Sequence, residues 1–432
     1  MAKEKFSGWR VFVGVMLLLL VMYGTASTIG IFLSAVAVEW GLIGTQIGLN
    51  STLASISVTS LTIVSGILSK KMSFKTSLII GIACLAAYYL VYAMAPNIYV
   101  LYSAVVFRGF FFGFAGVPTL TSLVARWFKK YRAILLGIAI GASGIGTTMF
   151  NWIGGNLIGA FGWRQACIVY AIVQLAVGIV AVFFLIAEPE KLGQKPLGWQ
   201  EEEPVSLNVS EQKTEEAAPV MSALKDVVPV KNFSFWILCL SVIFLASPTA
   251  VIVSTLPAIW TTGGVEVTTA ANYITILTGI GAAMTFVSGV IIHKLGLKAT
   301  LLVYALCFIL SSVLQAILAG GGNYISPLLL PAVIANGIAN PTRNIMGPNA
   351  AGCFGDHNHR QVTLFFQAAS NVGSTILPVL FGALADSTGN YMIVFILCAV
   401  FAALGYVLFT VGHALTPLAV LQRKAKNNAK AA

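Results

Sequence analysis

A single arginine lies in the middle of one of the most apolar stretches of the chain. The stretch reads YVLYSAVVFRGFFFGFAGVPTL over residues 99–120, with Arg108 near its centre. An arginine at the middle of a membrane-spanning helix costs about 2.5–3.5 kcal/mol, so a compensating partner is expected. Backbone carbonyls of a neighbouring helix would make Arg108 structural. An anionic solute in a water-filled cavity would make Arg108 a binding residue, because a guanidinium binds a carboxylate through two parallel hydrogen bonds. The two roles are compatible.

The chain offers Arg108 no acidic partner inside the apolar segments. Glu39, Glu266 and Asp386 fall in loops predicted on one side of the membrane, and Asp356 falls in a loop on the other. An unpaired buried cation is expensive. The pattern therefore favours a bound solute anion as the partner of Arg108. It also leaves the chain without the membrane-embedded carboxylate that drug/proton antiporters use as a proton carrier.

A second polar pattern occupies the segment ANGIANPTRNIMGPNAAG, residues 335–352. Four of its side chains recur at helical spacing and share one face: Asn336, Asn340, Arg343 and Asn344. Lipid would not tolerate this face, so it meets either a cavity or a packed seam with another helix. Pro341 and Pro348 remove backbone donors and predict a bend. We place Arg343 nearer the cytoplasmic mouth and interpret it as a gating residue.

Shorter polar stripes occur in three further apolar segments. They are Tyr23 with Ser27, Thr147 with Asn151, and Gln367 with Asn371 and Ser374. A single stripe of this kind more often forms hydrogen bonds between packed helices than it contacts a ligand. As candidates to orient a substrate held by Arg108 we name Tyr23, Asn151, Asn340, Gln367 and Asn371. No metal site is predicted, because His357 and His359 lie two residues apart without further ligands nearby.

Composition identifies the setting in which these side chains must work. The 432 residues are 58% hydrophobic and 9% charged, whereas a soluble domain has roughly a quarter charged residues. At about 20 apolar residues per spanning helix, the chain has room for about twelve spans. The six cysteines are widely spaced, which indicates apolar packing rather than disulfides or metal binding.

Apolar runs divide the chain into two sets of six. They fall at 11–38, 45–68, 76–94, 98–124, 133–158 and 164–187, and then at 235–260, 269–292, 299–319, 324–351, 361–385 and 391–412. The first run is too long for a signal-peptide core and is interpreted as a retained span. The predicted domains are a six-helix bundle over 1–187, a polar cytoplasmic linker over 188–232, a second bundle over 233–412 and a basic cytoplasmic tail over 413–432.

The basic residues predict the orientation of the spans. All but three of the 25 lysines and arginines fall in the termini, the linker and the loops of one side. The three exceptions are Arg108, Arg164 and Arg343, and only Arg164 falls in a loop of the other side. By the positive-inside rule the basic side, with both termini, is cytoplasmic. The net charge of +11 is explained in this way without invoking nucleic acid.

The two sets of spans also repeat each other in sequence. GILSKKMSFK at 66–75 matches GVIIHKLGLK at 289–298. The expected fold is an all-α membrane protein with twelve transmembrane helices in two pseudo-symmetric six-helix bundles. Proteins built in this way usually bind solute at the interface between the halves.

The twelve-span plan with a basic loop after spans two and eight resembles the major facilitator superfamily. The superfamily loop has the pattern Gly-x-x-x-Asp-Arg/Lys-x-Gly-x-Arg/Lys-Arg/Lys. Here Lys71 and Lys294 match its first basic position, whereas Lys70 and His293 replace its acid. On this resemblance Lys71 and Lys294 are assigned to cytoplasmic gating. The superfamily lines its cavity with spans one, four, seven and ten, which implies Tyr23, Arg108 and Asn340.

A narrower resemblance comes from ARWFKKYRAILLGIAIGASGIG at 125–146 and from the later Gly162-Trp163-Arg164. These runs are similar to the monocarboxylate porter and oxalate/formate antiporter branch. Members of that branch bind the substrate carboxylate with basic residues in spans one, eight or eleven. This chain departs from them, because its spans one, eight and eleven contain no lysine or arginine in their cores.

The resulting prediction is a secondary transporter for a small, monocarboxylate-like organic anion, working by alternating access with proton coupling or anion exchange. The sequence has no GxxxxGK[ST], GxSxG or HExxH motif, so an enzyme, a resident cofactor or an ATP-binding module is not expected. Phenylalanines of span four are expected to wall the cavity, and a monomer in a bacterial inner membrane is predicted. The alternatives are an exporter of hydrophobic or drug-like compounds and, from a different class, a non-transporting membrane sensor.

Overall fold

The structure is a computed structural model that describes residues 6–69, 72–128, 132–184, 197, 228–322, 324–354, 356–421 and 423. Twelve helical units follow one another along these residues. They are α1 (Gly8–Trp40), α2 (Gly44–Ser69), α3 (Phe74–Ala93), α4 (Ile98–Ala115, continued by Val117–Trp127), α5 (Arg132–Phe161), α6 (Trp163–Phe184), α7 (Phe233–Thr262), α8 and α9 (within Val267–Gly320), α10 (Leu329–Ala339 and Thr342–Ala351), α11 (Asp356–Thr388) and α12 (Met392–Ala414). The predicted twelve-helix plan is confirmed. The predicted linker lies almost entirely outside the described residues.

Within the described part of the chain, nine helical segments are long and apolar enough to cross a membrane. The longest of them, Val267–Gly320, contains two helices, because Gly296 takes a φ of 80° in its middle. A left-handed φ of this kind favours glycine, which carries no Cβ to clash with the backbone. We divide the segment there into α8 (267–295) and α9 (297–320).

Three helices are interrupted along their length. In α1 the helix passes through a π-helical stretch, Leu19–Tyr23, and is interrupted at residues 27 and 28 before it resumes at Ile29. In α4 the extended backbone of Gly116 separates two segments. In α10 the break falls at Asn340 and Pro341, where the proline was expected to disrupt the helix, whereas the second segment continues through Pro348.

Buried aromatic side chains fix the broken α1 against its neighbours in the first half. Tyr89 of α3 donates from its hydroxyl to the carbonyl oxygen of Thr25 at 2.7 Å. Gln174 of α6 donates to the Thr25 hydroxyl at 2.9 Å. Phe32 packs edge-to-face on Tyr89 and on Tyr170. These contacts hold the segment just before the break in α1 against α3 and α6.

The two halves meet along three pairs of helices: α2 with α11, α5 with α8, and α1 with α7. Glycines of α5 make the second of these seams close. A Cβ on Gly155 would overlap that of Ala271, and one on Gly144 would lie 3.3 Å from the Cβ of Ala282. Small residues let helix backbones approach closely inside a membrane, where association depends on packing.

The helix bundle has two ends that differ in charge. The basic face carries Arg10, Lys75, Arg126, Lys294 and Lys298. The distal face carries the connections at 41–43, 94–97, 263–266 and 389–391. At the distal face Arg164 donates to Glu39 at 2.7 Å and joins the end of α1 to the start of α6.

Candidate functional site

A cavity of about 170 Å³ lies between the two halves. Helices α1, α2 and α4 of the first half and α7, α10 and α11 of the second contribute to its wall. The charged and polar side chains that line it are Arg108, Arg343, Asn50, Ser51, Ser55, Ser254 and Ser374, and the rest of the wall is Ile29, Gly30, Leu33, Ala54, Ala250, Val251 and Pro378. Among the described residues no carboxylate lines the cavity, so its fixed charge is positive.

Arg108 makes a hydrogen bond to a neighbouring helix and also lines the cavity. Its Nε donates to the carbonyl oxygen of Ala26 at 3.1 Å, and that carbonyl lies next to the break in α1. The guanidinium carbon lies 4.9 Å from the centre of the Phe112 ring, a cation–π distance. In the part of the chain that the structure describes, this is the sole hydrogen bond of Arg108. Its two terminal amino groups therefore remain as donors on a side chain that lines the cavity.

Close packing of α4 on α2 brings Arg108 to this position. Ser57 of α2 donates to the carbonyl oxygen of Val105 at 2.9 Å. A Cβ on Gly109 would overlap the Ser57 hydroxyl, and one on Gly113 would overlap that of Ser65. The close approach of α4 to α2 requires both glycines. With Gly109 against α2, the preceding residue, Arg108, is directed toward the cavity.

Arg343 lines the same cavity from the other half. The sequence led us to expect it nearer the basic face, on a helix counted from residue 324. The helix begins instead at Leu329 and restarts at Thr342 after its break, which places Arg343 in the first turn of the second segment and on the cavity wall. Arg108 and Arg343 come from the fourth helix of each half, so the pseudo-symmetry of the fold presents two cations to one space.

The other substrate-binding candidates lie outside the cavity wall. Tyr23 packs edge-to-face on Phe112 at 5.3 Å and so stands behind Arg108. Asn340 packs on α8 beside Gly281. Asn151 is buried and lies 3.5 Å from the hydroxyl of Thr278 in the seam between α5 and α8. The sequence analysis allowed such stripes either to contact a ligand or to pack between helices. Asn151 and Asn340 pack between helices in the structure.

The α11 stripe enters the cavity at one end only. Ser374 lines it, whereas Gln367 donates to Asn371 at 3.3 Å further along the helix. The phenylalanines of α4, which we expected as apolar walls, are absent from the described lining, and aliphatic residues of α1 and α7 take that place. Of the two gating lysines, Lys294 is exposed next to the turn at Gly296, and Lys71 lies outside the described residues.

The polar residues that α2 and α7 contribute to the cavity were missed by sequence reasoning. Asn50, Ser51 and Ser55 fall within two turns of α2, in the run NSTLAS. Their spacing at i, i+1 and i+5 is a recognisable helical stripe. It went unremarked because serines also serve commonly as helix-packing residues in membranes.

Contacts between the halves close the cavity on its distal side. Thr52 donates to the carbonyl oxygen of Thr375 at 2.6 Å. A Cβ on Gly48 would overlap the carbonyl oxygen of Pro378, and one on Gly30 would lie 2.6 Å from the carbonyl oxygen of Ser254. The backbones of α2 and α11, and those of α1 and α7, thus touch at the cavity wall, and on its distal side the Thr261 hydroxyl of α7 donates to the carbonyl oxygen of Ser34 in α1 at 3.5 Å.

A carboxylate completes this closure at the distal face. Asp386 of α11 accepts hydrogen bonds from the backbone N–H groups of Gly44 at 2.7 Å and Thr45 at 2.8 Å, and a further one from the Thr45 hydroxyl. It therefore caps the N-terminus of α2 from the opposite half. Burial and the nearby Asp386 charge raise the pKa of Tyr391, in the loop before α12, to about 12, so this neighbour stays a neutral phenol.

We expect Asp386→Ala to weaken the distal closure. Loss of a capping carboxylate costs about 1 kcal/mol, which corresponds to roughly a fivefold shift in population toward the distally open state. Spin labels on Ile43 and Asn390, in a variant with the six cysteines replaced, would report this as a larger long-distance fraction. Glu266→Ala is the matched control, because Glu266 precedes α8 without a side-chain cap bond. Equal distance distributions in the two variants would refute the capping role.

Comparison with known proteins agrees with this architecture. Residues 15–352 match the Major Facilitator Superfamily. The chain belongs to that superfamily. Membership makes it a multi-pass membrane transporter that works by alternating access, in a superfamily whose members bind small-molecule solutes and typically act as monomers. Its assignment to the monocarboxylate and oxalate/formate branch stays a prediction.

Solved structures of superfamily transporters have the same fold as this member. The nucleoside transporter NupG aligns with a TM-score of 0.69 at 14% identity over 95% of this chain and 98% of that one. A bacterial homologue of the human lysosomal transporter Spinster, in an inward-facing and unoccupied conformation, aligns with a TM-score of 0.65 at 15% identity over 97% of this chain and 98% of that one. Identities this low establish the fold alone.

One curated relative matches over a short stretch. Sugar phosphate exchanger 3 of Mus musculus is 28% identical over 87 residues, which are 20% of this superfamily member and 17% of the mouse protein. The match spans less than a fifth of the relative's length.

Proposed function

We propose that this transporter carries a small organic anion of the monocarboxylate type, bound in the central cavity through Arg108 and Arg343. The observation that carries the proposal is the pairing of two arginines from opposite halves in one cavity without a lining carboxylate among the described residues. Guanidinium groups bind carboxylates and phosphates through charge-assisted, bidentate hydrogen bonds. An anion held by the two would offset the cost of keeping the Arg108 cation in a partly dehydrated space.

The small cavity volume and the polar wall favour this proposal over the export of hydrophobic compounds. Drug-sized ligands occupy pockets of about 300–1,000 Å³ lined mainly by apolar and aromatic side chains. Half of the lining residues here are charged or polar, and the described wall has no aromatic residue. The mouse relative is named for sugar phosphates, which are also anions, so a phosphate ester belongs among the solutes to be tested.

Two modes of energy coupling fit a site without an embedded carboxylate. A proton would enter together with the anion, or one anion would exchange for another. We propose further that the basic face is cytoplasmic, with both termini on that side, in a bacterial inner membrane. In this orientation the contacts of the distal side would separate the cavity from the periplasm. Lys294, with Lys71 of the same loop pattern, would serve the cytoplasmic gate, whereas Arg343, which the sequence assigned to that gate, would bind the anion from the cavity wall.

The test is uptake of labelled anions into proteoliposomes that contain the purified protein. The panel comprises acetate, lactate, glycerate, gluconate and glycerol 3-phosphate, each measured with and without an inward proton gradient. A parallel set of vesicles is preloaded with the unlabelled solute. Stimulation by the gradient indicates symport, and dependence on preloading indicates exchange. Uptake of no anion under any condition would refute the proposal and favour the hydrophobic-export alternative.

A further inference from the structure

We propose that the substrate anion carries hydroxyl groups, and that Asn50 is the residue that selects for them. This inference rests on the proposed function and narrows its substrate class to hydroxylated organic acids. The arginines supply hydrogen-bond donors for the acid group. The other polar side chains of the cavity wall supply hydrogen-bond acceptors. A ligand that satisfies these acceptors must carry hydrogen-bond donors.

Asn50 is a buried amide at the edge of the cavity. Its side chain is 1% exposed and lines the cavity from the second turn of α2. Among the described residues, its Oδ1 has no hydrogen-bond partner. A buried carbonyl oxygen without a donor costs free energy that a suitable ligand group recovers. A hydroxyl group is suitable in either orientation of the amide, because it both donates and accepts.

The serines around Asn50 extend the acceptor wall. Ser254 donates its hydroxyl proton to the carbonyl oxygen of Val251 at 2.8 Å, and Ser55 donates to that of Ser374 at 3.3 Å. A hydroxyl whose proton is engaged with the backbone presents lone pairs to its other side. Both residues line the cavity, so a ligand meets acceptors from α2 and from α7.

The charge of the cavity separates hydroxyl donors from ammonium donors. An ammonium group would also satisfy these oxygens, but the lining has two arginines and, in the described part of the chain, no carboxylate. A cationic group would therefore be repelled. A plain aliphatic acid would satisfy the arginines and leave Asn50 unpaired. A hydroxylated acid satisfies both walls of the cavity.

The experiment compares three-carbon acids that differ only in hydroxyl content. Propionate, lactate and glycerate are titrated against the purified full-length protein in detergent by calorimetry, with alanine as the ammonium-bearing analogue. A site built to bind a hydroxyl rejects an analogue that lacks it by large factors. We expect glycerate to bind at least about tenfold more tightly than propionate, and alanine to bind less tightly than lactate.

The variant Asn50→Leu keeps the side-chain size and removes the amide. We expect it to reduce the glycerate preference to less than about threefold, while propionate affinity stays within about threefold of wild type. Asn156→Leu is the matched control, because Asn156 is exposed on α5 and its side chain, within the described part of the chain, bonds only the carbonyl oxygen of Trp152 in its own helix.

The outcomes separate the two proposals. Equal affinity of the wild type for propionate and glycerate, or an equal loss of all acids in Asn50→Leu, would overturn this inference and leave the proposed function standing. Binding of no acid by the wild type would overturn the proposed function and this inference with it. A preference for glycerate that only Asn50→Leu removes supports the assignment.

Discussion

Substitution of Arg108 by Gln is expected to abolish anion uptake. Removal of one partner from a desolvated charge pair costs about 2–5 kcal/mol, which corresponds to at least about a 30-fold fall in affinity. Arg108→Lys should retain part of the uptake, because it keeps the charge and loses the planar fork. Arg343→Gln should have a smaller effect, because the Arg343 side chain is exposed and its charge is screened by water. The measurement is initial uptake rate per reconstituted molecule.

The control for this experiment is Arg164→Gln, which removes an arginine of the distal face. Arg164 pairs with Glu39, and both side chains are more than 40% exposed, so the loss should change stability by no more than about 1 kcal/mol. Thermal melting of each variant separates binding from folding. Undiminished uptake in Arg108→Gln together with a lower melting temperature would make Arg108 structural, as the holder of the Ala26 carbonyl.

Substitution of Gly48 by Val should also stop transport, by a different route. A side chain at this position would overlap the backbone oxygen of Pro378 in the opposite half, and backbone atoms cannot move aside as a side chain can. Overpacking costs up to about 3 kcal/mol, which would shift the balance between the two states by roughly two orders of magnitude toward the distally open one. Each half would still fold, because the clash lies between them.

Spin labels on Ile43 and Asn390 would show a longer distance in Gly48→Val than in the parent. Gly289→Val serves as the matched control, since no atom of the described residues lies within 4 Å of the Cβ position at Gly289. Wild-type uptake in Gly48→Val would mean that closure of α2 on α11 at this point is not a step of the transport cycle.

The spans and the central cation could be predicted from sequence because each has a local signature. Apolar runs of membrane-spanning length fix the helices, and the arginine of α4 is costly wherever its helix lies. The bend at Pro341 follows from a missing N–H in the same way. These features depend on the chain within a few turns of each residue.

The remainder of the site depends on what each helix meets, which local pattern does not determine. Asn50 and Asn151 are both asparagines in apolar helices, yet one lines the cavity and the other lies in the seam between α5 and α8. Asp386 was assigned to a loop because it follows the apolar run that ends at residue 385, and its hydrogen-bond donors, on Gly44 and Thr45, lie more than 300 residues away in sequence. Helix rotation and the pairing of the halves decide these roles.

The hydrogen bond between Arg108 and Ala26 would connect occupancy of the proposed site to the position of α1. The carbonyl of Ala26 lies just before the interruption of α1, and the segment after it, Ile29–Trp40, packs against α7 on the distal side. A solute that draws the guanidinium toward itself strains this bond, and the strain acts on a helix that is discontinuous at that point. If Arg108 binds the anion as proposed, the interruption of α1 would allow binding to change the position of the distal segment Ile29–Trp40.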